Sequence, residues 1–500
     1  MQNFFTRYGF ATTLVAVLGL FVTSCTDLEL ENDDFVELEN TGGVLVPGDP
    51  DAIVDGIYAD MGVFGDQANF YSLFQHTSDE MIPPTRGVDW GDNGVWRTLH
   101  QHTWDPTHQQ VNNAYNTTNR FVFRTVEALA ASGLSDETRA QAEFLQGYFL
   151  WHVLDLFGSV PFREFDEGVD VLPRVLSRTE AFNRAVDLVT GSIDNLPSQG
   201  PGDNERATKA AAYLLLTRMH LNAAVYNADN PAGPYEFSND NLQEVVRYAD
   251  LLEEEGYSLV DDYFSIWEAG ANSEEILVTT RNNGSNRWNM TLHYSQNPSG
   301  WNGFTTLAEF YDTFDEEDDR IGMEATPDGS EFSAIGTGFL IGQQFTDDGE
   351  ILNDSRTNRP LQFTREVPLN RAPTAAGIRV IKYHPARSDS YVILRYGEAV
   401  LNKAEAMLRM GNTQEALDLI NELRAARGAS EYSSIDLDEL LAERGRETYW
   451  EALRRIDQIR FGTFNNTWDE KTVTEDFRVL FPIPQQALST NPNLTQNPGY

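Results

Sequence analysis

The sequence predicts an all-α-dominated fold, in which helical hairpins form a scaffold broken by long loop-rich inserts and a few short strands. Three observations predict it. Apolar residues recur at three- and four-residue steps through most of the chain, capping signals punctuate them, and the pattern fails mainly between residues 257 and 386. The chain has 500 residues, of which 41% are apolar and 23% charged, so core-forming side chains are plentiful.

In chain order, the turn-rich TGGVLVPGDPD (Thr41 to Asp51) precedes a first periodic segment near Ala52. Asp105-Pro106 is expected to open a helix to about Ala131, because proline needs no donor in a first turn, and Ser135-Asp136-Glu137 to open the next, to about Phe157. Ser177 and Glu180 have capping-box spacing before a helix to Asn195. Ala207 to Tyr226 reads as the most apolar helix, and Asn239 to Glu255 stops at Gly256. Residues 257–386 carry short β-type runs (Ile276 to Thr280, Phe339 to Phe345, Ile378 to Tyr383) among Asn, Gly and Asp. A loop-rich, Trp-bearing stretch of that length is where a ligand is expected.

Helical periodicity returns at Ser390. Leu394, Leu401, Ala404 and Leu408 share one face, Gly411-Asn412 turns the chain, and Ala416, Ile420 and Leu423 face back before Gly428. This hairpin of about 34 residues resembles a tetratricopeptide repeat, a unit that buries its apolar face only by stacking on neighbours. The expected partner is one helix from Asp436 to Phe461. Its Glu447, Glu451, Arg454, Arg455, Asp457 and Arg460 alternate in sign, as suits a solvated or interhelical ion-pair face.

Charge and cysteine usage narrow the function. Asp plus Glu number 77 against 36 Lys plus Arg, a net charge of −41 that repels nucleic-acid phosphates and anionic headgroups. Phe10 to Val22 is an apolar run behind Arg7, and it ends at Thr23-Ser24-Cys25. That is the layout of a secretory signal over residues 1–24, and Val22 to Cys25 resembles a lipobox, so Cys25 is the expected lipidation site. An ordinary signal peptide or an N-terminal anchor is the alternative. Residues 25–50, beginning with the dense acids of TDLELENDD, are expected to form a flexible tether. Residues 51–256 then make an N-terminal helical region, and residues 257–500 hold the ligand insert and the C-terminal hairpin.

Five segments together resemble the SusD/RagB family of outer-membrane nutrient-uptake lipoproteins from Bacteroidetes. They are AQAEFLQGYFLWHVLDLFGSVPF (140–162), ATKAAAYLLLTRMHLNAA (207–224), YVILRYGEAVLNKAEAML (391–408), LLAERGRETYWEALRRIDQIRFG (440–462) and LFPIPQQALSTNPNLTQNPGY (480–500). Thr448, Ala452 and Gln458 depart from the family pattern. The resemblance implies a tetratricopeptide-like scaffold, and a surface-exposed protein lipid-anchored in the outer membrane. It further implies capture of a glycan without chemistry and delivery to a SusC-like TonB-dependent transporter. Contact with the membrane is expected through the lipid alone, and no nucleic-acid partner is expected.

No HExxH, GxSxG or phosphate loop is present. His100, His102 and His108 read as a polar loop rather than a metal set, so no metal or cofactor is expected beyond the calcium that the acidic run Asp315 to Asp319 could accept. Sugar rings need flat apolar faces flanked by planar polar groups. Two loop groups supply them: Arg86, Asp89, Trp90, Asn93 and Trp96, and then Asn286, Arg287, Trp288, Tyr294 and Trp301. Trp104 and Trp151, next to or within helices, read as core. Two other functions stay open at this level: an α-helical glycoside hydrolase using a carboxylate pair, and a helical-repeat protein-binding adaptor.

Overall fold

The computed structural model describes residues 46–500 apart from 169, 203, 281–285 and 329–331. The expected signal peptide, the lipidated Cys25 and the tether as far as residue 45 lie outside the described residues. No helix among those described is long and apolar enough to cross a membrane.

The N-terminal half is a run of antiparallel helices. Helix α1 (Pro50–Asp60) has proline at its first position and Asp49 as its cap, and α2 (Asn69–Gln75) follows. Both pack on α3 (Gln109–Ala130), which packs on α4 (Asp136–Phe157). Ser135 caps α4 by accepting from the Thr138 N–H at 3.0 Å, as its sequence predicts. The expected start of α3 at Pro106 is corrected to Gln109. Asp105 spends its carboxylate on the Thr107 N–H at 2.7 Å, closing a local turn, and His108 caps the helix instead. Helix α5 (Arg178–Ser192) opens on the full Ser177/Glu180 capping box. Helix α6 (Lys209–Leu221) is followed by a separate turn of helix (Ala223–Tyr226), with the break at Asn222, whose amide donates back to Arg218 O. Helix α7 (Asn239–Glu254) packs on α6.

The C-terminal hairpin is α8 (Tyr396–Arg409) and α9 (Thr413–Ala426). Helix α8 begins six residues later than its periodicity suggests, because Val392–Arg395 instead pairs antiparallel with Glu275–Val278. The β-branched Val392 and Ile393 suit that extended geometry. Helix α8 packs on α7 and α6, so the hairpin continues the stack of the first half.

The single helix expected from Asp436 to Phe461 is two: α10 (Leu437–Thr448) and α11 (Arg454–Arg460). No glycine or proline marks the break. Trp450 and Ala452 adopt left-handed φ of 60° and 62°, a conformation side chains disfavour. Tertiary contacts impose it: Glu80 Oε2 accepts from Trp450 N at 3.0 Å, and Gln75 Oε1 accepts from Ala452 N at 3.0 Å. The break also turns Glu451 toward Lys382 and Arg395, at 2.6 and 2.7 Å.

Those contacts belong to a buried ion lattice. Glu447 receives Arg320 at 3.1 Å, Arg395 at 2.7 Å and Arg427 at 3.0 Å. Glu443 receives Arg320 at 2.8 Å, and Glu274 receives Arg427 at 2.6 Å and Arg395 at 3.1 Å. The alternating charges are thus an interior face joining α10 to the hairpin and the insert. Backbone must come very close here. A Cβ at Gly397 would lie 2.3 Å from Arg395 Nη1 and 2.8 Å from Glu447 Oε1.

The insert is built on a three-stranded antiparallel sheet, with Thr337–Leu340 between Gly322–Met323 and Arg379–Ile381. Both outer strands are pinned to the lattice, because Arg320 precedes one and Lys382 follows the other. The strand-like run at 339–345 is split into this central strand and Gly342–Gln343, which pairs with Gln362–Phe363. At the C-terminus, the Asn/Pro-rich signature stitches the tail to α4. Asn497 Nδ2 donates to Phe157 O at 3.0 Å and Phe481 O at 2.7 Å, and the Tyr500 hydroxyl accepts from Trp104 Nε1 at 2.7 Å.

Two outcomes follow from the lattice. Glu447→Ala leaves three buried guanidiniums short of a counter-charge and is expected to cost about 3–5 kcal/mol in denaturant unfolding; a loss under 1 kcal/mol contradicts the lattice's role. Burial alone raises a carboxyl, but Arg460 and Arg409 outweigh it at Glu405, and Arg320 and Arg446 outweigh it at Glu443, so both sit at about 2. In the unfolded chain the value is about 4.3. The unfolded state therefore binds protons more readily, and the stability from these groups is complete above about pH 4.3 and lost as pH falls toward about 2. Stability measured by urea unfolding is expected to decline across that window, after an earlier decline below about pH 6.5, where the unfolded chain protonates His76, His102 and His152, whose burial holds them neutral in the fold.

Candidate functional site

The two Trp-bearing loop groups, about 200 residues apart in sequence, converge on one open cleft of about 480 Å³. Arg86 and Asp89 exchange backbone hydrogen bonds of 3.0 Å in both directions, closing a tight turn with Gly87 at φ 64°. That turn places Val88 at its tip, 94% exposed, and delivers Trp90 to the cleft wall. Met81–Ile82 pairs with Thr305–Thr306 just beyond, which locks the 86–90 segment against the 300–304 segment.

Trp90 is held from several directions. Its Nε1 donates to Trp301 O at 2.9 Å, and its ring lies 4.7 Å from Phe304 and 6.4 Å from Trp301, tilted 42° to the latter. A Cβ at residue 303 would meet the Trp90 ring at 2.6 Å, so only glycine lets the indole lie on that backbone. Trp301 itself is 43% exposed. Across the cleft is Tyr294, half-buried, with the Arg356 guanidinium stacked 4.1 Å above its ring. Arg356 also pairs with Asp89, which bridges the two walls. Hydrogen bonding to Asp89 raises the Arg356 pKa, and burial raises that of Tyr294, so at neutral pH the first is a cation and the second a neutral phenol.

Four of the residues expected from sequence therefore line the cleft: Asp89, Trp90, Tyr294 and Trp301. The others do not reach it. Arg86 is buried beneath, its Nη1 donating to Pro373 O at 2.7 Å and Nη2 to Ala376 O at 2.8 Å, and burial pushes its pKa down to about 9. Arg287 is also buried, its guanidinium 3.8 Å above the Tyr71 ring. Trp96 is 7% exposed and plugs the core, with Nε1 bonded to Asp92 at 2.6 Å. Trp288 packs instead beside Leu292, Leu340 and Ile381 in a separate apolar cluster. Asn93 is exposed but outside the cleft, with left-handed φ of 54° that shapes the turn before Trp96. Asn286 opens a short helix, and its side chain lies outside the described residues.

Arg356 and Asp92 were not expected. Arg356 comes from the turn SRTN in the Asn353–Asp354/Arg359–Pro360 hairpin, with no aromatic neighbour in sequence to mark it. Trp104 and Trp151 are core residues as read, bonded to the Tyr500 and Tyr226 hydroxyls. Each histidine of the HQHTWDPTH loop bonds backbone oxygen: His100 to Met81 O and Asp469 O, His102 to Thr77 O, His108 to Val95 O. In the acidic run, Asp315 pairs with Arg424 at 2.8 Å and Asp318 with Arg320 at 2.7 Å. Among the described residues no group of three or more His, Cys, Asp or Glu is placed to hold a metal.

The molecule is thus a stack of helical hairpins carrying a loop-built aromatic cleft. Residues 265–500 match the model of the SusD family. Over its full length the chain is 25% identical to starch-binding protein SusD of Bacteroides thetaiotaomicron, also over the whole of that protein. Among solved structures, a SusD superfamily protein from Bacteroides vulgatus superposes with TM-score 0.68 at 18% identity, covering 90% of this chain and 98% of the other. Surface glycan-binding protein A from Bacteroides fluxus gives 0.66 at 17% identity, covering 90% and 99%. Residues 265–500 thus carry the SusD family's pattern, and the chain as a whole is similar to SusD.

The differing burial of the tryptophans separates stability from binding. Trp96→Ala removes a core plug and is expected to cost about 3–5 kcal/mol in unfolding free energy. Trp301→Ala, on a half-open surface, is expected to stay within about 0.5 kcal/mol. Equal losses in the two variants, measured by urea denaturation, contradict this division.

Proposed function

We propose that this chain is a surface-exposed glycan-binding protein of the outer membrane. It captures oligosaccharide or polysaccharide on the Trp90/Trp301/Tyr294 cleft and passes it, unaltered, to a SusC-like TonB-dependent transporter. The observation that carries the reading is the exposed Trp301 indole, whose backbone carbonyl is held by Trp90 and which lines one open cleft with Tyr294. Such rings take the C–H faces of sugars, while Asp89, Asp92 and Arg356 at the rim offer partners for hydroxyls. The names of the relatives, starch-binding SusD and surface glycan-binding protein A, support the same ligand class. The strongly acidic chain disfavours polyanionic glycans, so the ligand is neutral or weakly charged.

Lipidation at Cys25 followed by an acidic leash suits a lid that swings over a transporter. The cleft is open, the one cation among its described lining residues is already paired with Asp89, and Trp90 is held from behind. That arrangement favours retention over bond cleavage. Native gels containing soluble starch, laminarin or xylan test the reading. Retardation in at least one gel is expected, with Trp301→Ala weakening it by about 1–3 kcal/mol and no shortened glycan appearing in the incubation. Full retention by Trp301→Ala, or release of products, would falsify it.

A further inference from the structure

A second cleft, of about 610 Å³, lies between the 231–235 loop and the segment running from Ile459 to Val479. It is larger than the Trp90/Trp301 cleft and shares none of its lining residues. Its volume falls within the usual range for small-molecule sites, about 300–1,000 Å³.

Its walls are built and held. Ile459, Phe464 and Val479 contribute apolar surface. On one side stands the half-buried Tyr235 ring. The Tyr235 hydroxyl donates to Pro231 O at 2.6 Å, while Asn230 ties its own loop through Ala232 N at 3.1 Å and Gly233 O at 2.8 Å. On the other side run Asn465, Asn466 and Thr467. A fully buried lysine fixes that wall from within: Lys471 Nζ donates to Phe464 O at 3.2 Å and to Asn466 O. The backbone is thus set while the polar groups of Asn466, Thr467 and Thr474 stay on exposed residues.

The lining chemistry selects the ligand class. Among the described residues no Lys or Arg lines the cleft, so phosphate, sulfate and carboxylate ligands find no counter-charge in its lining. Asp476 is the only acid there among the described residues, too few for a metal ion. What remains is the Tyr235 ring over apolar surface that includes the buried Phe464, ringed by amides and hydroxyls, which is the complement of a neutral polyhydroxylated ring. We propose that the Tyr235/Asn466 cleft is a second saccharide site. Ligand identity here rests on the glycan reading above, but the location does not. Two stations on one chain would hold a polysaccharide by avidity, each raising the effective concentration of glycan at the other.

Affinity electrophoresis of the full-length protein in soluble starch, laminarin and xylan tests this. In the gel that retards the wild type, Tyr235→Ala and Asn466→Ala are each expected to raise the apparent Kd roughly tenfold. Trp301→Ala is expected to keep residual retardation, which adding Tyr235→Ala removes. Asn466→Ala changes an exposed side chain and leaves the Lys471 contacts on its backbone oxygen, so its melting temperature is expected to match the wild type. Wild-type retardation that neither variant changes overturns the second site alone. Failure of the wild type in every gel overturns the glycan reading and this site with it.

Discussion

The buried lattice around Glu447 is the constraint on which the rest depends. Three guanidiniums, from Arg320, Arg395 and Arg427, converge on one carboxylate, and their burial makes each indispensable to the others. Burial disfavours the Glu447 carboxylate, but the three cations outweigh it and hold its pKa well below the usual carboxylate range. The consequence is geometric. Arg320 and Lys382 stand at opposite edges of the insert's sheet, so ion pairs with α10 and with the turn after it fix that sheet at both sides. From the sheet, Arg379 reaches Asn302 Oδ1 at 2.7 Å, and Ile378 O accepts from Thr306 N at 3.1 Å. Those contacts set the strand-like segment that presents Trp301.

Much of the scaffold was legible because local signals and packing agree. The Ser135 and Ser177 caps, the Gly411-Asn412 turn and the Gly428 stop all act where their chemistry says they should. Reading failed where tertiary contacts override propensity. The helix break at Trp450 and Ala452 is bought by acceptors on Gln75 and Glu80, nearly 400 residues away in sequence. The strand at Val392 exists only because Glu275–Val278 lies beside it.

The cleft was half legible for a related reason. Composition marks loops rich in aromatics and small polar residues, and both marked loops do converge. Composition cannot say which side of a loop faces outward. Arg86 looks like a ligand group, yet it and Arg379 each donate to backbone oxygens of the 374–377 segment and support the cleft from beneath, with no carboxylate partner among the described residues. Arg356, which does reach the cleft, comes from a hairpin turn with nothing to distinguish it in sequence. Arg86 and Arg379 therefore bear load beneath the cleft, while Arg356 and the exposed Trp301 indole stand at its surface.

The most direct measurement is a crystal structure of the protein soaked with the oligosaccharide that its gels identify. The account predicts a sugar ring stacked on Trp301, with Trp90 and Tyr294 in the positions they hold here and Arg356 still paired with Asp89. Sugar bound away from Trp301, or a cleft rebuilt around it with the Glu447 lattice undone, would contradict a preformed platform.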